Sequence, residues 1–258
     1  VRAARRAYYG AVSYVDDQVG TLLAALEQSA FDRNTIIMLL ADHGDMLGER
    51  GLWYKMSFYE PACRIPFIVH APGRFTPHRV SASASLLDVL PTLTELAGGT
   101  NPPRYASPPD GTSLLPQLTA DTPGRDEVVA EYLAESAIAP IVMIRRERFK
   151  YIHCPADPDL LFDVAADPDE RENLATRADH APLLAEFRAE VARRWNLPEL
   201  HAQVLASQRR RHFVYDALRQ GRYQPWDFQP VRDASRLYIR NDQELNDLED
   251  MARFPRLA

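Results

Sequence analysis

The run NTIIMLLAD, residues 34–42, constrains the fold of this chain more than any other stretch. A continuous apolar run of this length is typical of a strand that is buried on both faces of a parallel sheet. The run IPFIVHAP, residues 65–72, has the same character. Apolar residues at helical spacing over residues 7–29, and again over about 85–97, predict a helix on either side of these two strands. Helix, strand, strand and helix in this order predict α/β layers.

The second half of the chain has a different pattern. Residues 100–124 are rich in Pro, Ser and Gly, and we interpret them as a long surface loop. Short strand candidates with tight breaks follow and predict an antiparallel meander; they cover residues 128–134, 140–146, 149–154 and 159–164. Two helices are then predicted, at about 179–195 and 199–220. The remainder, from Gly221 to Ala258, is aromatic, proline-rich and mostly irregular.

Composition excludes several classes of protein. With 258 residues and 46 % hydrophobic content, the chain can bury a substantial core. A net charge of −6 argues against a nucleic-acid-binding protein, which would carry a basic face. No apolar run approaches the roughly 18 residues that cross a membrane. Two cysteines make no disulfide framework, which favours a reducing compartment, and we expect a cytoplasmic protein.

The start of the sequence has the character of the middle of a protein. It reads VRAARRAYYGAV, has no Met and no signal-peptide pattern, and a helix is under way by Ala7. We therefore interpret the chain as the C-terminal portion of something longer.

The segment ADHGDMLGERGLWYK, residues 41–55, crowds ionisable groups at the end of the first strand, where open α/β sheets bind ligands. Asp42 and His43 could supply two ligands to Ca²⁺, Mg²⁺ or Mn²⁺, although a hard cation requires about six. Alternatively, Asp42 caps a turn and His43 hydrogen-bonds nearby backbone. We expect Glu49 and Arg50 to form a local ion pair.

Lysine is rare in this chain. Of the 30 basic residues, 28 are Arg, and only Lys55 and Lys150 are Lys. A compact ammonium and a planar guanidinium are not interchangeable, so a Lys in such a chain can mark chemistry that Arg cannot supply. Lys55 is well placed to neutralise an anionic substrate such as sulfate or phosphate near a metal.

Residues 34–73 resemble the second metal-binding segment of the sulfatases, in the alkaline-phosphatase-like superfamily. The resemblance rests on the strand followed by DHGD, on GE and W-x-K at the expected spacing, and on R-x-P-F-I-V. It implies that Asp42 and His43 are metal ligands and that Lys55 binds the sulfate group. The Asp-His pair occurs among choline sulfatases and phosphonate monoester hydrolases. His43 could alternatively act as a proton donor to the leaving oxygen, but its place beside Asp42 favours the ligand role.

The tail is similar to the C-terminal extension of choline sulfatases from Arg209 almost to the end, through YDAL, PWDFQP, DAS and YIRN. This resemblance implies choline sulfate as the substrate and a homo-oligomer, a tetramer, built through the extension. The alternative is that the tail wraps its own subunit. By its matching position, Glu131 is the candidate carboxylate for the trimethylammonium head, which cannot donate hydrogen bonds. A surface or structural role for Glu131 is the other interpretation.

The nucleophile is expected outside this chain. Sulfatases resembling it use a formylglycine made from Cys or Ser in a C/S-x-P/A-x-R motif, and neither CRIPF at Cys63 nor CPADP at Cys154 fits. We therefore expect no catalytic nucleophile here and an inactive fragment when it stands alone. The resemblance implies a divalent metal, Ca²⁺ in the first place, with Mn²⁺ and Mg²⁺ as alternatives.

These observations give one overall hypothesis. The fold class is α/β: a sandwich of helices on a mixed sheet, similar to sulfatases and alkaline phosphatase, with a smaller antiparallel C-terminal sheet plus helices and an extended tail. We predict catalytic-domain residues at 1–125, an α+β subdomain at 126–208 and the oligomerisation extension at 209–258. The function is hydrolysis of choline sulfate. The alternatives are an arylsulfatase or phosphonate monoester hydrolase, and a non-catalytic oligomerisation module.

Overall fold

A computed structural model describes residues 1–98, 104–119, 124–135 and 137–220 of the chain. The chain divides into two compact units, Val1–His201 and Ala202–Ala258. The first unit carries all the strands of the described residues. The predicted irregular segment from Gly221 to Ala258 lies outside the described residues.

The first unit opens with helix α1, Arg2–Glu27, and then strand β1, Ile37–Leu40. β1 pairs with β4, Phe67–His70, in antiparallel register from Ile37↔His70 to Leu40↔Phe67. The two apolar runs are therefore strands, as predicted. The expectation of strands buried on both faces of a parallel sheet is wrong for this pair, because the pairing is antiparallel and Leu39, Leu40 and Ile68 remain exposed.

Between β1 and β4 the chain forms a small hairpin. Strands β2, Met46–Leu47, and β3, Trp53–Tyr54, pair antiparallel, and the short helix α2, Glu60–Cys63, follows them. Gly48 adopts a φ of +101°, a left-handed conformation that glycine reaches without steric cost, and so lets the chain reverse.

Helix α3, Val89–Gly98, follows β4 and agrees with the predicted helix. Ser85 and Asp88 cap the turn that precedes this helix. The Ser85 hydroxyl accepts the Leu87 N–H, and the Asp88 carboxylate accepts the Ser85 N–H. The interpretation of residues 100–124 as a loop needs one correction, because Leu115–Leu118 form the short helix α4. Pro116 sits in its first turn, where its missing N–H costs nothing.

The second sheet is an antiparallel meander in the order β5-β6-β7-β8, as predicted. Its strands are Glu127–Tyr132, Ile141–Arg146, Phe149–His153 and Leu160–Asp163. Alternation of side chains gives the sheet two apolar faces. One face packs on helix α5, Ala181–Arg194, through Phe187. The other face, with Met143, Ile152 and Phe162, is covered by Phe58 and Tyr59 from the segment between β3 and α2.

Helix α6, Leu197–Arg219, closes the described part of the chain. Its first turn packs Leu197 into the core of the first unit, whereas Phe213 and Leu218, in the second unit, are exposed. No helix in the described ranges is long and apolar enough to cross a membrane.

Candidate active site

Asp42 and His43 form a contacting pair immediately after β1. The His43 Nε2 atom lies 3.3 Å from Asp42 Oδ2, and the Asp42 side chain is 83 % exposed. The other ring nitrogen, Nδ1, lies 2.8 Å from the Gly44 carbonyl oxygen. Both ring nitrogens therefore face oxygen atoms, but a neutral imidazole has only one N–H. If Nδ1–H donates to Gly44, then Nε2 and the carboxylate face each other as two acceptors, and a cation between them would satisfy both. Asp42 Oδ1 also accepts the backbone N–H of His43 at 2.9 Å.

The pair is held against helix α2 by Gly44. The Gly44 N–H donates to the Ala62 carbonyl at 2.8 Å, and a Cβ added at Gly44 would lie only 2.1 Å from the Pro61 carbonyl oxygen. No residue with a side chain fits without movement of one backbone segment. The position of α2 therefore determines the position of the backbone next to His43.

Helix α1 is attached to the same loop by Arg5. Its guanidinium bonds the Glu49 carboxylate at 2.7 Å and the Leu47 carbonyl at 3.1 Å. The predicted local pair of Glu49 with Arg50 is wrong, because Glu49 pairs with Arg5 instead. Arg50 instead donates to the Asp169 carbonyl at 3.1 Å and stacks over the Tyr59 ring at 4.5 Å.

A second contact between α1 and the loop involves Tyr8. Its hydroxyl hydrogen-bonds the Asp45 carboxylate, and the pKa of Tyr8 is raised, first by burial and then by the charge of Asp45. Asp45 is therefore engaged by Tyr8, whereas Asp42 faces solvent and His43.

Lys55 is brought back to this loop by the hairpin. The register pairs Met46 with Tyr54, and Lys55 directly follows this last paired residue of the hairpin. Lys55 is exposed, and its ammonium has no ion-pair partner within the described ranges. An exposed cation in the segment 41–55 can neutralise an anionic group.

Glu131 lies in β5, on the other sheet. Its Oε1 accepts a hydrogen bond from the Trp195 indole N–H at 2.5 Å. The structure thus pairs Glu131 with an aromatic ring, and no described contact joins it to Asp42, His43 or Lys55. Its predicted role toward substrate stays a prediction.

The two cysteines are free thiols. Cys63 donates to the Phe58 carbonyl at 3.2 Å, and burial raises the pKa of its thiol despite the opposing charge of nearby Lys150. Burial therefore opposes formation of the thiolate, which is the nucleophilic form of cysteine.

The site contains one group whose position the sequence did not predict. Lys150, on β7, is buried with its ammonium 2.8 Å from Glu60 Oε1 and 2.6 Å from Glu170 Oε1. The sequence signal was present, since Lys150 is one of only two lysines among 30 basic residues. Nothing in the sequence, however, indicated its partners.

Comparison with known proteins shows which family the chain belongs to. The family model described as "Sulfatase" matches residues 2–99, and the one described as "Choline sulfatase enzyme C terminal" matches residues 202–254. The chain is 44 % identical to the choline-sulfatase of Rhizobium meliloti over 99 % of its own length and 50 % of that protein. It is 34 % identical to arylsulfatase K of Gallus gallus over 69 % of the chain and 34 % of that protein.

A solved structure of similar fold is the phosphonate monoester hydrolase from Silicibacter pomeroyi. It superposes with a TM-score of 0.59 at 31 % identity, covering 69 % of this chain and 38 % of the other. The fold is therefore that of the alkaline-phosphatase-like superfamily. Within it, the chain belongs to the sulfatase family, and the resemblance and fold class predicted from the sequence are confirmed. The chain spans half the length of the Rhizobium choline-sulfatase and about a third of arylsulfatase K.

Proposed function

We propose that the protein is a sulfuric ester hydrolase that converts choline sulfate to choline and sulfate. The observation that carries this proposal is the extent of the match to choline-sulfatase, 99 % of the chain, whereas arylsulfatase K matches 69 %. The choline sulfatase C-terminal family model covers part of the difference, at residues 202–254. A cytoplasmic location belongs to the same proposal and is supported by the two unpaired thiols.

Asp42 and His43 fit a divalent cation. Asp42 Oδ2 and His43 Nε2 lie 3.3 Å apart, close enough for one divalent cation to contact both, and Ca²⁺ is the ion that the resemblance implies in the first place. The bond from His43 Nδ1 to Gly44 is the kind of outer contact that fixes a ligating imidazole. When bound, the cation would supply Lewis-acid polarisation of a sulfate oxygen.

The remaining ligands and the nucleophile, a formylglycine, would come from sequence upstream of Val1. In this chain Lys55 would offset charge on the sulfuryl oxygens, because it is exposed and unpaired within the described ranges. Glu131 would face the trimethylammonium head together with the Trp195 indole, since carboxylates and aromatic faces are the groups that hold such a cation.

Choice of substrate tests the proposal directly. Protein expressed with its natural upstream sequence should release sulfate from choline sulfate with a kcat/KM at least 100-fold above that for a phosphonate monoester or an aryl sulfate. A preference for the phosphonate ester would instead support the activity of the Silicibacter relative.

The non-catalytic alternative requires that Asp42→Ala leave Ca²⁺ and Mn²⁺ binding unchanged in calorimetric titration. In the same assays Lys55→Ala tests the anion contact, and it should lower kcat/KM without changing Ca²⁺ affinity.

We further propose a homotetramer built through the extension, residues 209–258. Support in the described part of that segment is limited to α6, where Phe213 is 76 % exposed and Leu218 is also exposed. Large exposed apolar side chains favour an interface. Deletion of residues 209–258 should lower the particle mass about fourfold in light scattering, and the milder Phe213→Asp should weaken assembly. An unchanged mass for the deletion would refute the tetramer.

A further inference from the structure

The buried ammonium of Lys150 is the most constrained charge of the described structure. Lys150 is only 1 % exposed, and three oxygen atoms lie within 2.8 Å of its Nζ atom. Nζ donates hydrogen bonds to the Phe58 carbonyl at 2.8 Å and to Glu60 Oε1 at 2.8 Å, and it forms an ion pair with Glu170 Oε1 at 2.6 Å. Oxygen atoms that converge on one point suit a compact ammonium and do not suit the planar fork of arginine.

The charges around Lys150 balance. Burial acts to lower the pKa of Lys150, but the surrounding groups, Cys63 and then Glu170 and Glu60, raise it above its ordinary value. The carboxylates of Glu60 and Glu170 are the two acidic side chains in contact with the ammonium. Arg145 lies 3.9 Å from Glu60 and completes the balance of two cations with two anions. Removal of one member leaves an uncompensated buried charge.

Glu170 holds the other end of the network. Besides Lys150, its carboxylate accepts the backbone N–H of Glu60, at the start of α2, at 2.7 Å. Glu170 is 1 % exposed and has a φ of +55°, a conformation that Gly or Asn adopts more easily. A glutamate held in this conformation in the interior indicates that its two carboxylate contacts outweigh the backbone cost.

The network connects the antiparallel sheet to both parts of the candidate site. It fixes α2 at its first residue, and α2 carries the Ala62 carbonyl that accepts from Gly44, next to His43. It also fixes Phe58, three residues after Lys55. A displacement of this segment would therefore move the metal pair and the candidate sulfate ligand together.

We propose that Lys150 is a positioning residue of the active site, which, with Glu60 and Glu170, holds the segment 55–64 so that Lys55 and the Asp42–His43 pair keep their geometry. The proposal rests on the proposed function for the roles of those three groups. The sheet would thus act as the rigid support of the site rather than as a separate module.

Three variants of the protein with its natural upstream sequence test this proposal. Lys150→Met removes the ammonium at similar volume. Glu170→Gln keeps the size of the side chain and one acceptor for the Glu60 N–H, and it is the milder change of the two. Arg148→Met is the matched control, because it removes a cation from the same sheet, one that binds Asp163 at 2.9 Å and does not contact α2.

Each variant is compared with the wild type at a temperature where circular dichroism shows it to be folded. We expect Mn²⁺ affinity to fall about 10- to 100-fold in Glu170→Gln and in folded Lys150→Met, the loss that follows removal of an outer contact to a metal site. The kcat/KM on choline sulfate should fall about 100-fold, as expected for a displacement near 1 Å. Arg148→Met should change neither. Wild-type Mn²⁺ affinity and kcat/KM in folded Glu170→Gln would overturn the proposal.

Amide hydrogen exchange separates this proposal from the proposed function. Exchange of residues 56–64 needs neither metal nor ester, and we expect it to be roughly 10-fold faster or more in Glu170→Gln than in Arg148→Met. If the wild type prefers another ester or binds no Mn²⁺ while this difference is seen, the proposed function fails and the positioning network stands. If choline sulfate is hydrolysed but the exchange rates are equal, the positioning role fails alone.

Discussion

Replacement of Gly44 with alanine tests the contact between α2 and the loop that carries Asp42 and His43. The added Cβ would lie 2.1 Å from the Pro61 carbonyl oxygen, about 1.3 Å short of ordinary van der Waals contact at 3.4 Å. The obstacle is backbone, which cannot rotate away as a side chain can. The loop and α2 must therefore separate by about 1 Å, and the 2.8 Å bond from Gly44 to Ala62 must break.

The cost follows from these two changes. Loss of one backbone hydrogen bond costs about 1 kcal/mol, and the overpacking about 1–3 kcal/mol, so unfolding should become easier by about 2–4 kcal/mol. For a chain of this size that corresponds to a fall in Tm of roughly 4–16 °C. Because the displaced residue adjoins His43, kcat/KM should also fall about 100-fold.

The matched control is Gly111→Ala, which creates the same kind of clash elsewhere. Its Cβ would lie 2.1 Å from the Leu87 carbonyl oxygen, in a loop with no assigned role in the site. Calorimetry should show a comparable loss of Tm for both variants, but only Gly44→Ala should lose activity when the folded protein is assayed. Equal kcat/KM values for the two folded variants would refute the argument that α2 positions the metal pair.

Three further changes give distinct expected outcomes. Lys55→Ala should lower kcat/KM on choline sulfate about 100- to 1000-fold without lowering Tm, since its ammonium has no ion-pair partner within the described ranges. Phe187→Ala should cost about 3–5 kcal/mol in urea unfolding, because the ring is buried and stacks 5.5 Å from Tyr151. Hydrogen bonds from Arg193 and then Arg194 lower the pKa of Glu190 from 4.5 to about 2. Its folded-state pKa lies below the ordinary value, so its stabilisation is present above pH 4.5 and lost as pH falls toward 2. The difference in unfolding free energy between the wild type and Glu190→Gln should shrink over that window.

The regular elements of the fold could be predicted because their signals repeat along the chain. The four strands of the meander and the helices α5 and α6 fall within two residues of their predicted ends. The β2–β3 hairpin could not, because two-residue strands are too short to show a period. The direction of the β1–β4 pairing was also missed, since a continuous apolar run does not distinguish parallel from antiparallel neighbours.

Within the site, composition identified candidates but not contacts. The contact between Asp42 and His43 follows from adjacency, and Lys55 returns to the loop through the hairpin. The local pair of Glu49 and Arg50 was the natural expectation from spacing, yet Glu49 binds Arg5, 44 residues away. Long-range partners of this kind depend on tertiary packing, which no short pattern in the sequence encodes.

The two lysines separate two roles of positive charge in one segment. Lys55 lies at the exposed start of the segment 55–64, where a compact charge can meet an anionic ester, and Lys150, on β7, contacts the buried part of that segment, where three oxygen atoms converge on its Nζ atom. Arginine carries the same charge, but its fork requires acceptors side by side. Lys55→Arg should therefore raise KM and leave Mn²⁺ affinity unchanged, whereas Lys150→Arg should weaken Mn²⁺ binding about 10-fold or more. Equal Mn²⁺ affinities in the two variants would show that the shape of the Lys150 side chain does not determine the geometry of the Asp42–His43 pair.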